Sequence, residues 1–197
     1  MAISALTGIH AGDYDAVVDA LAADHRRKEA VRSLMRAGDS ATPALRRGLR
    51  HANPRVIMDC CRVLDHFLDP EAIPELMANL DHADARVRAW AMHALACDRC
   101  KEGVCRPGED EVIPIAIDML EHDRAVGVRQ QAAGMLGPSV HRRDDVRAAL
   151  MRVHADDPSP VVRKIAGWWV PGGPRYEALL PREDRRKVRK KRSRFKN

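Results

Sequence analysis

The sequence predicts an all-α fold, a right-handed solenoid of stacked helix pairs, and three observations carry that prediction. The first is the stretch Glu71–Leu95, which reads as two short amphipathic helices joined by a tight turn. Ile73, Leu76 and Leu80 share one face of the first helix, and Pro74 sits in its opening turn, where a missing N–H costs nothing. Asp84 is a good N-cap for the second helix, whose Val87, Ala91, Ala94 and Leu95 form one stripe. The second observation is that this stretch has copies in register, and stacking is what a lone helix pair needs to bury such a stripe. The third is composition. Two Phe and two Tyr in 197 residues leave Ala, Leu, Val, Ile and Met to build the core, which suits close-packed helices.

The elements follow in order. Met1–Gly12 reads as frayed. Asp13–Leu21 and Asp24–Ala37 keep helical spacing through Val17, Val18 and Leu21, then Ala30, Val31 and Leu34, as a degenerate terminal pair. Gly38-Asp39-Ser40 stops one helix and offers a cap for the next. Units follow at 41–68, 71–97, 110–137 and 143–170. Aligning Pro43, Pro74 and Pro114 brings Leu45, Leu76 and Ala116 together, and likewise Leu49, Leu80 and Leu120. The second helices then align as VIMDCCRVL, VRAWAMHAL, VRQQAAGML and VRKIAGWWV, starting at Val56, Val87, Val128 and Val162. Four places on from each Val stands a small residue: Cys60, Ala91, Ala132 or Ala166.

This pattern, over Ala41–Val170, resembles the HEAT-repeat family and is similar to the HEAT-like repeats of bilin lyases and alkylation-repair glycosylases. The first unit departs from it, with Ile57 where Arg is usual, and the fourth lacks the proline. The resemblance implies that the second helices line a concave face. It also implies that Arg88, Arg129 and Arg163 pair with acidic turn residues of neighbouring repeats. A histidine near the end of each first helix (His51, His82, His122 and His154) is spaced too widely to share a metal ion and is expected to bond the last helical carbonyls. Fold does not fix activity.

The expected organisation is one solenoid over 1–181, interrupted by an insertion at 98–110, and a basic tail over 182–197. The net charge of +6 hides this division. The tail holds ten Lys/Arg and two Asp/Glu, which leaves 24 against 26 in residues 1–181. The tail has one aliphatic residue, Val188, so it cannot bury enough surface to offset its entropy and is expected to be disordered. Its functional reading is an arm for nucleic-acid phosphates through Arg185, Arg186, Lys187, Arg189, Lys190, Lys191, Arg192, Arg194 and Lys196; an acidic protein surface, and a role in solubility or none, are the other readings. No apolar run approaches the ~20 residues of a membrane span, the N-terminus lacks signal-peptide order, and five cysteines argue against a secreted disulfide framework. The expected location is cytoplasmic, with no membrane partner.

The insertion carries Cys97, Cys100 and Cys105 at C-x2-C-x4-C. One reading is a structural zinc, with His93 as fourth ligand because it lies four residues before Cys97 on a helix; Glu109, Asp110, His122 and His141 are alternatives. The others are free reduced thiols or a redox-sensing pair. On the second helices, positions three and six after each aligned Val lie far from the core stripe at about 100° per residue. They read Asp59, Trp90, Gln131 and Ile165, then Arg62, His93, Gly134 and Trp168. Arg62, Trp90 and Trp168 are therefore the candidate partner-binding residues. Trp168 has a competing reading, in which the segment from Val170 to Leu180 folds back over it. No nucleophile elbow, phosphate loop, HExxH or carboxylate pair is present. The function read from this is a non-enzymatic scaffold that docks a protein or ribonucleoprotein, with the tail on nucleic acid. The alternative is a HEAT-like enzyme, an alkylated-base glycosylase or a bilin or cofactor lyase, with Asp59 as its carboxylate.

Overall fold

Caps and prolines mark where several of the helices begin. In the computed structural model the described residues are 13–67, 69–96 and 109–186, and every regular element among them is helical. Asp13 accepts the Ala16 N–H at the head of α1 (Tyr14–Asp19). α2 (Asp24–Ala37) ends at Gly38, whose φ of 57° is a conformation that favours glycine. Proline stands in the first turn of α3 (Thr42–Gly48), α4 (Pro54–Leu64) and α5 (Ile73–Ala78). α6 spans Ala85–Ala96 and α7 spans Glu109–His122. α7 departs from the expected start: it begins before Pro114 and carries that proline inside. Its opening residues Glu109, Asp110 and Glu111 are acidic and suit the positive helix end, so the helix extends N-terminally past the aligned proline. α8 (Val126–Leu136), α9 (Asp144–Asp156), α10 (Pro160–Gly167) and α11 (Pro174–Leu179) complete the chain, and residues 182–186 form a further helical turn.

The chain divides into two compact units, Met1–Val112 and Ile113–Asn197. In the first unit α1 packs on α2 and α3, α3 on α4, and α5 on α6; α4 lies between α2 and α6. The second helices α2, α4 and α6 thus form one layer. In the second unit α10 packs on both α8 and α9. The expected core holds: Val56, Val87 and Val162 are 0% exposed, as are Cys60, Ala91, Ala132 and Ala166. Small side chains at that position let helices approach closely. Gly48 extends the same logic, because a Cβ there would press on Cys60 and Val18. Fully buried Leu34, Leu45, Leu64, Leu76, Leu120 and Leu150 fill the remaining volume, each worth about 1.5–3 kcal/mol of transfer free energy.

Candidate docking site

The turns between paired helices hold the layers in register. In all four, the side chain five residues before the aligned Val accepts the backbone N–H two residues on. His51 Nδ1 accepts from Asn53 (2.9 Å), His82 Nδ1 from Asp84 (2.9 Å), Asp123 Oδ1 from Ala125 (2.8 Å) and Asp157 Oδ1 from Ser159 (2.7 Å). The structural equivalents of His51 and His82 are therefore Asp123 and Asp157. His122 and His154 lie elsewhere: His122 pairs with Asp118 (2.9 Å), and His154 Nδ1 donates to the Arg163 carbonyl (2.9 Å). The expected bond to the last carbonyls of the first helix is made by none of these contacts: His51 and His82 accept turn N–H groups, His122 pairs with a carboxylate, and His154 bonds a carbonyl of α10.

The arginines of the Val-Arg pairs fold back onto the same turns. Arg88 donates to the carbonyls of His82 and Ala83, and Arg163 to those of Asp157 and Pro158. Arg129 donates to the Asp123 carbonyl and also grips Asp157 of the next turn, Nε to Oδ2 at 2.8 Å and Nη2 to Oδ1 at 3.1 Å. The Arg129–Asp157 grip matches the expected ladder. Burial alone would raise the Asp157 pKa; the bonds from Arg129 and the Ser159 N–H carry it below its ordinary value. Asp84 drops to about 2, chiefly through its hydrogen bond from Arg86.

Above these turns, α2, α4 and α6 bring together a polar cluster. Asp59 is 0% exposed. Its Oδ2 accepts from Arg27 Nε at 2.6 Å and its Oδ1 from Arg27 Nη2 at 2.9 Å, and Arg62 Nη1 adds a bond at 3.1 Å. The Arg62 guanidinium lies over the Trp90 ring, 5.4 Å from its centroid. His93 meets Trp90 in a T-shaped contact at 5.3 Å, and its Nε2 is 3.3 Å from Oδ2 of buried Asp65. The angular reading of α4 and α6 thus placed Arg62, Trp90 and His93 on one face. It misplaced Asp59, expected open and found sealed, because Arg27 reaches over it from the neighbouring helix. A carboxylate so held has no room to assist bond cleavage on a substrate.

Arg27 and Asp65 escaped the sequence reading, yet a signal for Arg27 exists. Opposite charges recur about one repeat apart: Arg27 with Asp59, Arg47 with Asp15 (32 residues each), Arg55 with Asp24 and Arg152 with Glu121 (31 each). The second-helix layer is the more basic: α4 and α6 carry Arg55, Arg62, Arg86 and Arg88 against Asp59 alone, whereas α1, α3 and α5 carry Arg46 and Arg47 against Asp15, Asp19 and Glu75. A cleft on the first-helix side, lined by Arg46, Arg47, Arg50, Glu71 and Glu75, is internally neutralised by Arg46–Glu71 and Arg50–Glu75 pairs.

Trp168 lies at the end of α10, partly exposed. Its carbonyl accepts the N–H groups of Arg175 (3.0 Å) and Tyr176 (2.9 Å), and the Arg175 guanidinium sits 5.4 Å from its ring centroid. The His141 and Tyr176 rings meet at 4.2 Å between centroids, tilted by 46°, and His141 Nε2 donates to the Tyr176 carbonyl. The segment after Val170 therefore does return onto Trp168, as one of the two readings held. Cys97, Cys100 and Cys105 lie outside the described residues, as do tail residues Lys187, Arg189, Lys190, Lys191, Arg192, Arg194 and Lys196. Arg185 and Arg186 are described and exposed. Among the described residues no group of His, Cys, Asp and Glu is arranged to hold a metal, and no helix is long and apolar enough to cross a membrane.

These features define a helical-repeat protein. The family model of HEAT repeats matches residues 15–96, the stretch from α1 through α6. No curated protein matches the sequence. Among solved structures the chain is similar to two crystal structures, each titled an engineered protein. One is 20% identical over 79% of this chain and 76% of that one, with a TM-score of 0.50. The other is 22% identical over 79% and 78%, with a TM-score of 0.48.

Proposed function

We propose that this protein is a non-enzymatic docking module. The α2/α4/α6 face of its first unit holds a protein or ribonucleoprotein partner, and its basic tail contacts nucleic acid. The observation that carries the docking reading is Arg62 lying over the Trp90 ring while bonded to sealed Asp59: a charged, partly exposed anchor tethered at one corner. HEAT repeats generally mediate protein interactions, which supports the same reading. Enzymatic use of Asp59 is disfavoured by its burial. The test is a photo-crosslinking amino acid at position 90, with position 47 on the other layer as control. A polypeptide captured from extract at 90 and not at 47 supports docking; equal capture at both, or none, ends it. For the tail, full-length and 1–181 proteins are titrated with single-stranded RNA and duplex DNA across a salt series. Truncation should abolish binding, with a log–log slope of about 0.7 per phosphate contact on RNA and 0.9 on duplex.

The Asp65–His93 contact supports a structural zinc as well. A buried carboxylate that accepts the Nε2–H hydrogen bond leaves the Nδ1 lone pair to face a metal, the arrangement usual behind metal-bound histidines. His93 with Cys97, Cys100 and Cys105 would then close a four-ligand site with no position for catalysis. Purified protein should contain about one zinc, and Cys100→Ser should lose it; under ~0.2 per chain ends the idea.

A further inference from the structure

We propose that the Arg62 guanidinium is a receptor for a carboxylate side chain, so that the partner segment seated on the α2/α4/α6 face is an acidic peptide. This rests on the docking reading above and names its chemistry. Asp59 carries one negative charge and faces two guanidiniums, so the trio keeps one unit of positive charge at a surface where Arg27 and Arg62 side chains remain 32% and 40% exposed. Among the described residues Arg62 spends only Nη1, on Asp59, and Arg27 spends Nε and Nη2. The Nε–Nη2 edge of Arg62 is left, and that edge grips a carboxylate through two parallel bonds.

The edge is preorganised. Asp59 pins one corner of the guanidinium, and Trp90 supports its plane through a cation–π contact. Little side-chain entropy remains to be lost on binding. The surroundings choose the ligand class. Nucleic acid would need an open aromatic face for a base, or several cations in a row for phosphates. Trp90 has Arg62 over its ring and His93 against it, so it offers no stacking platform. The cluster sets two guanidiniums around one carboxylate, not the row of cations a phosphate run needs. One fork fits one Asp or Glu of a protein segment.

The test uses the full chain and a capped hexaglutamate peptide at about 150 mM salt, read by NMR at the arginine Nε–H signals and the Trp90 indole N–H. Arg62→Lys assigns the Arg62 signal. Expected is a saturable shift of Arg62 and Trp90, none at Arg47, and none with hexaglutamine. Arg62→Ala should weaken binding, read at Trp90, about tenfold. Arg62→Lys keeps charge and fold yet should lose most of the affinity, which guards against a misfolded alanine variant. Shifts confined to residues 182–197, or equal shifts with hexaglutamine, overturn the proposal. So does single-stranded RNA or duplex DNA that displaces the peptide and moves the Arg62 and Trp90 signals at lower concentration. If Arg62 stays silent while position 90 still crosslinks a polypeptide, the acidic ligand is wrong and the docking reading stands.

Discussion

Arg129 and Asp157 sit 28 residues apart in sequence, and their side chains meet through two bonds with exposures of only 9% and 2%. Asp157 also caps its own turn, so one carboxylate ties α8 to the α9–α10 junction. Breaking a buried pair strands the remaining charge. Arg129→Ala should destabilise the second unit by about 3 kcal/mol, read by urea denaturation. Asp157→Asn keeps the turn acceptor and should cost less. A loss below 0.5 kcal/mol for Arg129→Ala would show that the pair is spectator to the fold.

The same pair sets a pH dependence. The folded pKa of Asp157 lies below its ordinary value, so the carboxylate binds a proton more weakly in the native state than in the unfolded one. Its stabilisation is complete above the unfolded pKa of about 3.9. It is lost as pH falls through the folded value. Denaturation midpoints should fall below about pH 4 in the parent protein and fall less steeply in Asp157→Asn.

Two glycines make opposite predictions. A Cβ at Gly137 would overlap the indole of Trp169, which is buried, whereas one at Gly134 meets nothing within 4 Å. Gly137→Ala should cost about 2 kcal/mol through overpacking. Gly134→Ala, in an exposed helix interior, should gain about 0.5–1 kcal/mol. Melting temperatures moving in the same direction for both would contradict the packing described.

His82 serves its turn by accepting the Asp84 N–H through Nδ1. His82→Asp supplies the oxygen that Asp123 and Asp157 use in equivalent turns and should stay near parental stability. His82→Ala leaves the Asp84 N–H without this acceptor and should cost about 1 kcal/mol. Thermal unfolding of the two variants separates them; equal losses would mean the imidazole matters by its bulk.

Cys60 and Cys61 are fully buried. Burial pushes the Cys61 thiol up to about 12 and the Cys60 thiol well above its ordinary value. Both should resist alkylation at pH 8 until denaturant is added. Peptide mapping after a timed pulse of iodoacetamide checks this, and fast labelling of either thiol in native protein would refute the burial.

How much could be read in advance follows from the range of each interaction. Helix positions, the aligned Val and the small residue four places on were readable because they obey a 3.6-residue period within one helix and a translation between repeats. Arg62, Trp90 and His93 were placed on one face by the same angular argument. Asp59 defeated it. Its burial depends on Arg27, one repeat away, and no periodicity within α4 reports what a neighbouring side chain covers. The histidine series failed for a related reason. His51 and His82 share a register with Asp123 and Asp157, since what the turn selects is an oxygen or nitrogen at one point in space rather than a residue type. The sequence alone thus settles the architecture and the apolar interior, which sum over many weak local preferences. Which polar groups are sealed, which guanidinium edge is left open, and hence what the surface can bind, depend on contacts between helices a full repeat apart, and those exist only once the layers have stacked.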